Sequence, residues 1–201
     1  IDRPQGVAVD KQGNVYFTQY GNGENVVRKV SPDGRITRFA GAARTGGLAD
    51  NVAALSATFN RVIPIAVEES GAVLVGDILN HAIRRIGTDG IVRTVIGKGT
   101  PGFSPDGTRA ADASINAPTC VMPDRLGNIY FCDGDNLRLR KIDAAGIVTT
   151  VIGSGKNGFG GDGGPATEAA VSQRMFPALG PDGSIYFADQ FRSEEHTSEL
   201  Q

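Results

Sequence analysis

One five-residue pattern occurs four times along this chain at a nearly fixed interval. Gly13-Asn14-Val15-Tyr16-Phe17 recurs as Gly71-Ala72-Val73-Leu74-Val75, as Gly127-Asn128-Ile129-Tyr130-Phe131 and as Gly183-Ser184-Ile185-Tyr186-Phe187, at spacings of 58, 56 and 56. Gly34 returns as Gly90 and Gly146, and Gly41 as Gly97 and Gly153, each at intervals of 56. Three independent anchors sharing one period require a repeat array, in which each unit completes its core only against its neighbours.

Each unit reads as four short strands. In the first these are Gly6–Val9, Val15–Phe17, Val26–Val30 and Ile36–Ala40, joined by the turns Asp10-Lys11-Gln12-Gly13 and Ser31-Pro32-Asp33-Gly34. Pro at the second turn position and Gly at the fourth suit a type I turn, and Gly admits the positive φ that hairpins need. The second strand is apolar at consecutive positions without polar alternation, so both its faces are expected to be covered. A four-stranded antiparallel sheet covered on both faces by its neighbours is a propeller blade, so the expected fold is all-β: an open, partial β-propeller.

Composition supports that class and excludes others. Glycine is abundant at 28 residues, Trp is absent, and no run of apolar residues is long enough for a membrane-spanning helix. Residues 192–201 stand outside the repeat. Written as codons (AGA TCG GAA GAG CAC ACG TCT GAA CTC CAG) they resemble a widely used sequencing adapter translated in frame. The chain also opens on Ile1 and runs straight into a strand-like segment. The expectation is a truncated product ending in a non-native, disordered tail. Setting that tail aside leaves 19 basic and 19 acidic residues. A balanced charge gives no reason to expect a nucleic-acid partner or membrane insertion.

The units resemble the NHL-repeat β-propellers. The resemblance rests on Gly6-Val7-Ala8-Val9-Asp10 with Gly13–Phe17, on Asp77-Ile78-Leu79-Asn80-His81-Ala82-Ile83-Arg84-Arg85-Ile86, and on Gly146-Ile147-Val148-Thr149-Thr150-Val151-Ile152-Gly153. The Asn-His-Leu signature occurs once, as Asn80-His81-Ala82. The third unit has Asn136-Leu137-Arg138 there, and the first is lengthened by two residues around Asn22–Asn25. On this reading residues 1–57, 58–113 and 114–170 are blades and 171–191 is a half-blade. The resemblance implies a ring commonly of six blades, roughly 340 residues at this period.

Two ladders of carboxylates repeat with the period. Asp77, Asp133 and Asp189 end their second strands, with Gln19 at that place in the first unit. Such a ring of carboxylates could hold a cation, as the gluconolactonase-like propellers do. However, each Asp also precedes a third-strand Arg by seven residues (Asp77 to Arg84, Asp133 to Arg140), which favours local ion pairs; Arg28 is the first-unit equivalent. Asp50, Asp106 and Asp162 lie in the glycine-rich linkers. No Gly-Lys-Ser/Thr follows them for a phosphate loop, and the oxygen donors of a calcium loop are missing. They are expected to cap a short helical turn, over Ala166–Val171 in the last linker. No metal and no cofactor is expected.

Residues that break the repeat on the loop face are the place to look for a ligand. His81, the one imidazole before the tail, and Arg138 are such residues, and with Asp77, Asp133 and Asp189 they form the candidate binding set. No nucleophile–base constellation can be assembled around a single histidine so placed. Cys120 and Cys132 fall on adjacent strands opposite mostly small equivalents. They are expected to be two buried free thiols, with a cross-strand disulfide as the alternative. The favoured function is a non-enzymatic binding or scaffold module engaging a protein or glycan. The alternative is a metal-dependent propeller enzyme, a lactonase-like hydrolase or a lyase. The glycine-rich linkers resemble those of exported bacterial NHL proteins, so an extracellular or surface location is expected.

Overall fold

A computed structural model describes residues 1, 3–158 and 160–189, Asp189 in its backbone alone. Asp2, Phe159 and residues 190–201, including the expected non-native tail, lie outside the described residues. The first sheet is an up-and-down meander of β1 (Pro4–Val9), β2 (Val15–Gly21), β3 (Glu24–Val30) and β4 (Ile36–Ala40). A two-residue strand, β5 (Val52–Ala53), precedes the second, made of β6 (Val62–Val67), β7 (Val73–Asp77), β8 (Ala82–Ile86) and β9 (Ile91–Ile96). The third comprises β10 (Pro118–Pro123), β11 (Ile129–Asp133), β12 (Arg138–Ile142) and β13 (Val148–Ile152), and β14 (Met175–Leu179) pairs with β15 (Ile185–Asp189).

The first strands pack on one another in order, β1 on β6, β6 on β10 and β10 on β14, which lays the sheets out as an open arc of blades. A hydrophobic cluster fills each junction. Tyr16 and Val27 meet Ile65, Val73 and Val75; Leu74, Ile83 and Ile96 meet Val121, Ile129 and Phe131; Leu139 and Ile152 meet Ile185 and Phe187. Burial on both faces makes the second strands uniformly apolar, and β7 is buried at all five positions. The Gly41, Gly97 and Gly153 anchor has a steric cause. These residues sit at φ +99°, +103° and +98°, and a Cβ there would strike the carbonyl oxygens of Asn25, His81 and Leu137.

The two extra residues of the first unit change its loop. In the second and third sheets a 3₁₀ turn (Ile78–Asn80, Gly134–Asn136) leads into a left-handed residue, His81 or Leu137. In the first, the hairpin instead extends to the pair Gly21–Glu24, closed by Asn22 and Gly23 at φ 49° and 81°. Positive φ at both central residues is the type I′ geometry favoured by Asn-Gly.

The linkers do more than connect. After leaving one sheet, the first two fasten to the outer strand of the next: β5 pairs with β9, and the Ala110 N–H donates to the Gly146 carbonyl at 2.8 Å beside β13. The expected helical turn is shorter than the sequence suggested, a 3₁₀ turn at Ala166–Glu168 behind Pro165 with no side-chain cap, like Ala54–Ser56 and Ala110–Asp112 before it. The free-thiol expectation is overturned as well. Cys120 and Cys132 are direct partners in the β10–β11 register, 4.9 Å apart at Cα, and form a disulfide. Their small equivalents mark a close strand approach, as at Gly76, where a Cβ would collide with Pro64.

Candidate functional site

The end of each second strand is where three segments of chain meet. Asp77, fully buried, accepts the Asn60 N–H on Oδ1 at 2.6 Å and the Asn80 amide on Oδ2 at 2.8 Å. The same Asn80 amide nitrogen donates to the Gly46 carbonyl at 2.8 Å, so the Asn of the Asn-His-Leu signature ties the strand end to the linker. The arrangement repeats one period later. Asp133 accepts from the Asn116 N–H at 2.7 Å and from Asn136 at 2.8 Å, and Asn136 reaches the Gly102 carbonyl at 2.8 Å.

Arg84 and Arg140 are fully buried beside these carboxylates, but their closer partners lie elsewhere. Arg84 Nη1 stands 3.8 Å from Asp77, beyond hydrogen-bond range, and Arg140 Nη1 stands 3.6 Å from Asp133. Arg84 Nη2 instead donates to Asp50 at 3.0 Å and to the Ala49 carbonyl at 2.6 Å. Arg140 Nη2 donates to Asp106 at 3.1 Å and to the Ser104 carbonyl at 2.9 Å. Asp50 also accepts the N–H and hydroxyl of Thr94, at 2.7 and 2.9 Å, and Asp106 accepts both from Thr150 at 2.9 Å. The expected capping role of the linker aspartates is therefore corrected. Asp50 and Asp106 latch the linker to the third and fourth strands of the sheet that follows. Asp162 has a hydrogen-bonding or electrostatic contact of its own.

The electrostatics follow from depth. Burial pushes Asp77 up to about 6, against the opposing pull of the Asn60 N–H, Asn80 and Arg84, and leaves it mainly ionised at neutral pH. Burial raises Asp133 for the same reason and lowers Arg140. At Asp106 burial also acts upward, but the Thr150 N–H and hydroxyl together with Arg140 outweigh it and hold the carboxyl below its usual range. Asp77 has both oxygens committed to donors, whereas Asp133 takes both bonds on Oδ1 and its buried Oδ2 faces only Arg140 Nη1 at 3.6 Å; both carboxylates are fully buried. Asp189 ends β15 opposite Met175; its side chain lies outside the described residues. Among the described residues, no three His, Cys, Asp or Glu are grouped so as to hold a metal ion.

His81 is less isolated than its sequence suggests. Its Nδ1 accepts the Ala117 N–H at 3.2 Å, and one period earlier Asn25 Oδ1 accepts the Arg61 N–H at 2.7 Å. Both donors belong to left-handed residues, at φ 50° and 62°, at the entry to the next sheet. The two side chains differ in kind but make the same inter-blade bond.

The comparisons with known proteins agree with this architecture. A family model described as the Teneurin NHL domain matches residues 100–159. Human Teneurin-1 is 53% identical over 49 residues, covering 24% of this chain and 2% of that protein. The third repeat is thus similar to the NHL type. Among solved structures, a protein of unknown function from Bacteroides thetaiotaomicron matches with a TM-score of 0.71 at 19% identity, over 94% of this chain and 45% of that one. An auxiliary nutrient binding protein from Bacteroides ovatus matches at 0.66 and 20% identity, over 94% and 46%. A gluconolactonase from Xanthomonas campestris matches at 0.63 and 14% identity, over 93% and 54%. These likenesses show the fold. The chain thus spans about half the length of the propellers it resembles and a small part of its curated relatives. The expected bacterial origin finds no support among those relatives, which are animal proteins.

On the loop face of the third sheet one position breaks the repeat. Arg138, where the other sheets have Val26 and Ala82, donates to the Asn136 and Ser154 carbonyls at 2.7 and 2.8 Å. Its guanidinium lies 4.6 Å from the ring centre of Phe103, and Arg140 lies 5.0 Å from the same ring. Phe103 occupies the place of Gly47 one period earlier and is 47% exposed. Around them an open cleft is lined by Lys156, Thr167 and Glu168. Phe103 was missed in the sequence. The recurrence of phenylalanine at one linker place, Phe103 and Phe159 where the first linker has Gly47, beside the broken position Arg138 was the available signal.

Proposed function

We propose that this NHL propeller is a non-enzymatic binding module that takes a protein or glycan partner on its loop face, centred on Phe103 and Arg138. The observation that carries this reading is the contact of Arg138, which breaks the repeat, with the half-exposed Phe103 ring. A half-exposed aromatic ring braced by two guanidinium groups is a preorganised anchor, and large aromatic and arginine side chains dominate such contacts. The loop around Asp133 flanks it, for Arg138 donates to the Asn136 carbonyl. The repeated carboxylates, by contrast, are engaged in joining chain segments. The Cys120–Cys132 disulfide favours an oxidising compartment and hence an extracellular or cell-surface site of action. The second reading, a lactonase-like enzyme, draws on the likeness to the gluconolactonase fold.

The test is a glycan array and a panel of immobilised cell-surface protein domains, probed with the full chain and with Phe103→Ser and Arg138→Ala. Saturable binding that falls at least about tenfold in either variant is expected, a loss of about 1.4 kcal/mol. Divalent-cation-dependent hydrolysis of glucono-δ-lactone by the chain, abolished in Asp133→Asn, would overturn the reading in favour of the enzyme.

A further inference from the structure

The turn face, at the opposite end of the strands from the Phe103–Arg138 cleft, carries an ion pair that is made in the second sheet and left open in the first. In the second sheet the turn carboxylate Glu68 closes on the third-strand cation Arg85, which donates to it through Nε and Nη2 at 3.0 and 2.6 Å. One unit earlier the same two places hold Asp10 and Lys29. There the pair is not made. Asp10 is shorter, and donors of its own hairpin occupy it. The Gln12 and Asn14 N–H groups reach Oδ1 at 3.0 and 2.8 Å, and the Asn14 amide and Tyr16 hydroxyl reach Oδ2 at 2.7 and 3.1 Å. Lys29 Nζ stands 5.5 Å from the centre of the Tyr16 ring, and among the described residues no carboxylate comes within ion-pair distance of it.

Lys29 lines a cleft of about 400 Å³ between the first and second sheets, the size of a small-molecule site. Tyr16 and Phe39, packed edge to face at 4.9 Å, supply its aromatic wall, where the next unit has Leu74 and Val95. Asn14, Ser70 and Thr88 bring an amide and two hydroxyls. All of its lining falls within residues 10–90, so both walls are internal to the chain. The other charges of the cleft are answered within the protein: Glu69 by Lys11, Glu68 by Arg85, and Asp10 by its hairpin. Lys29 is the cation left to be answered.

We infer that this cleft binds an acidic sugar, with its carboxylate on Lys29 Nζ and its ring hydroxyls on Asn14, Ser70 and Thr88. The charge of the ligand follows from the unmade pair, since a carboxylate accepts from an ammonium more strongly than a neutral oxygen does. Its hydroxyl-rich body follows from the few polar groups set around an aromatic wall. The site is separate from the Phe103–Arg138 cleft and does not rest on it.

Titration of the isotopically labelled full chain with a hyaluronan fragment, which carries glucuronate carboxylates, tests this by NMR. Amide shifts are expected at Lys29, Ser70, Thr88 and their neighbours, with an affinity that falls as salt rises. The same fragment with its carboxyl groups reduced to alcohols should bind at least about tenfold more weakly, and so should the acid to Lys29→Met. Lys29→Arg keeps the charge and retains binding, and the spectra of both variants report folding directly. Phe103→Ser leaves binding at this cleft unchanged, which separates it from the loop face. Asp10→Glu offers Lys29 the longer carboxylate that Arg85 has, and weakens binding as well. No shifts at these residues, equal binding of the reduced fragment, or undiminished binding by Lys29→Met would each overturn the inference. Shifts centred on Phe103 and lost in Phe103→Ser would overturn it too, by assigning the sugar to the loop face.

Discussion

In the second and third sheets a buried aspartate ends the second strand and receives an amide from the signature asparagine, Asn80 to Asp77 and Asn136 to Asp133. In the first sheet the same two places hold Gln19 and Glu24, and the bond runs the other way: Gln19 Nε2 donates to Glu24 Oε2 at 2.6 Å. The carboxylate has moved from the strand end to the turn. It follows the arginine, for Glu24 stands 3.6 Å from Arg28. The fourth strand differs too, because Arg38 occupies the place of Thr94 and Thr150. Arg28 is 29% exposed where Arg84 and Arg140 are sealed. One amide–carboxylate–guanidinium unit thus exists in a buried form and in a wetter form. A buried charge holds its place only when fully partnered, whereas an exposed pair contributes little.

The largest effect should therefore separate the arginines. Arg84→Met leaves Asp77 buried without its cation and frees Asp50 from the second sheet; it is expected to cost about 3–5 kcal/mol. Arg28→Met should cost under about 1 kcal/mol. Urea unfolding midpoints of the two variants beside the parent chain decide it, and equal losses would erase the distinction between the two forms.

Transplanting the pair sharpens the comparison further. Gln19→Asp alone sets two carboxylates against each other and is expected to cost about 1–2 kcal/mol. Glu24→Asn alone leaves Arg28 without its anion. Together they recreate the Asp–Asn arrangement of the later sheets, so the double variant should recover at least about 1 kcal/mol over the sum of the single losses. Additive losses in a double-mutant cycle would show that the reversal has no coupling behind it.

These contrasts also show what was readable beforehand. Glycine anchors and uniformly apolar second strands carry the blade and the arc, because positive φ and two-sided burial restrict residue type locally. Partner choice is different. Asp50, Asp77, Arg84 and Thr94 all recur at one period, and periodicity alone does not say which repeat-mate bonds which. The seven-residue step from Asp77 to Arg84 drew attention to the longer contact, while the shorter one spans 34 residues through the linker. The Cys120–Cys132 bridge was hidden similarly, since small equivalents fit a tight strand approach with or without a bond. The Gln19–Glu24 reversal was legible in the aligned repeats, as a charge that changes place while the total stays constant.

The smallest effect concerns the tie between blades on the loop face, and it asks whether chemical identity matters there at all. Asn25 and His81 accept backbone N–H groups from Arg61 and Ala117, whereas the third sheet has Leu137 in that position. If the acceptor is what counts, His81→Asn should leave stability within about 0.5 kcal/mol of the parent. His81→Leu should cost about 1 kcal/mol, because the Ala117 N–H loses its acceptor and this donor sits at a left-handed residue with little freedom to turn elsewhere. Amide exchange at Ala117 isolates the local event. It should be unchanged in the asparagine variant and faster in the leucine variant, while exchange at Arg61, held by Asn25, stays constant in both. Faster exchange in His81→Asn would mean that the imidazole packs as well as accepts, and the first and second junctions would then differ in substance and not only in residue name.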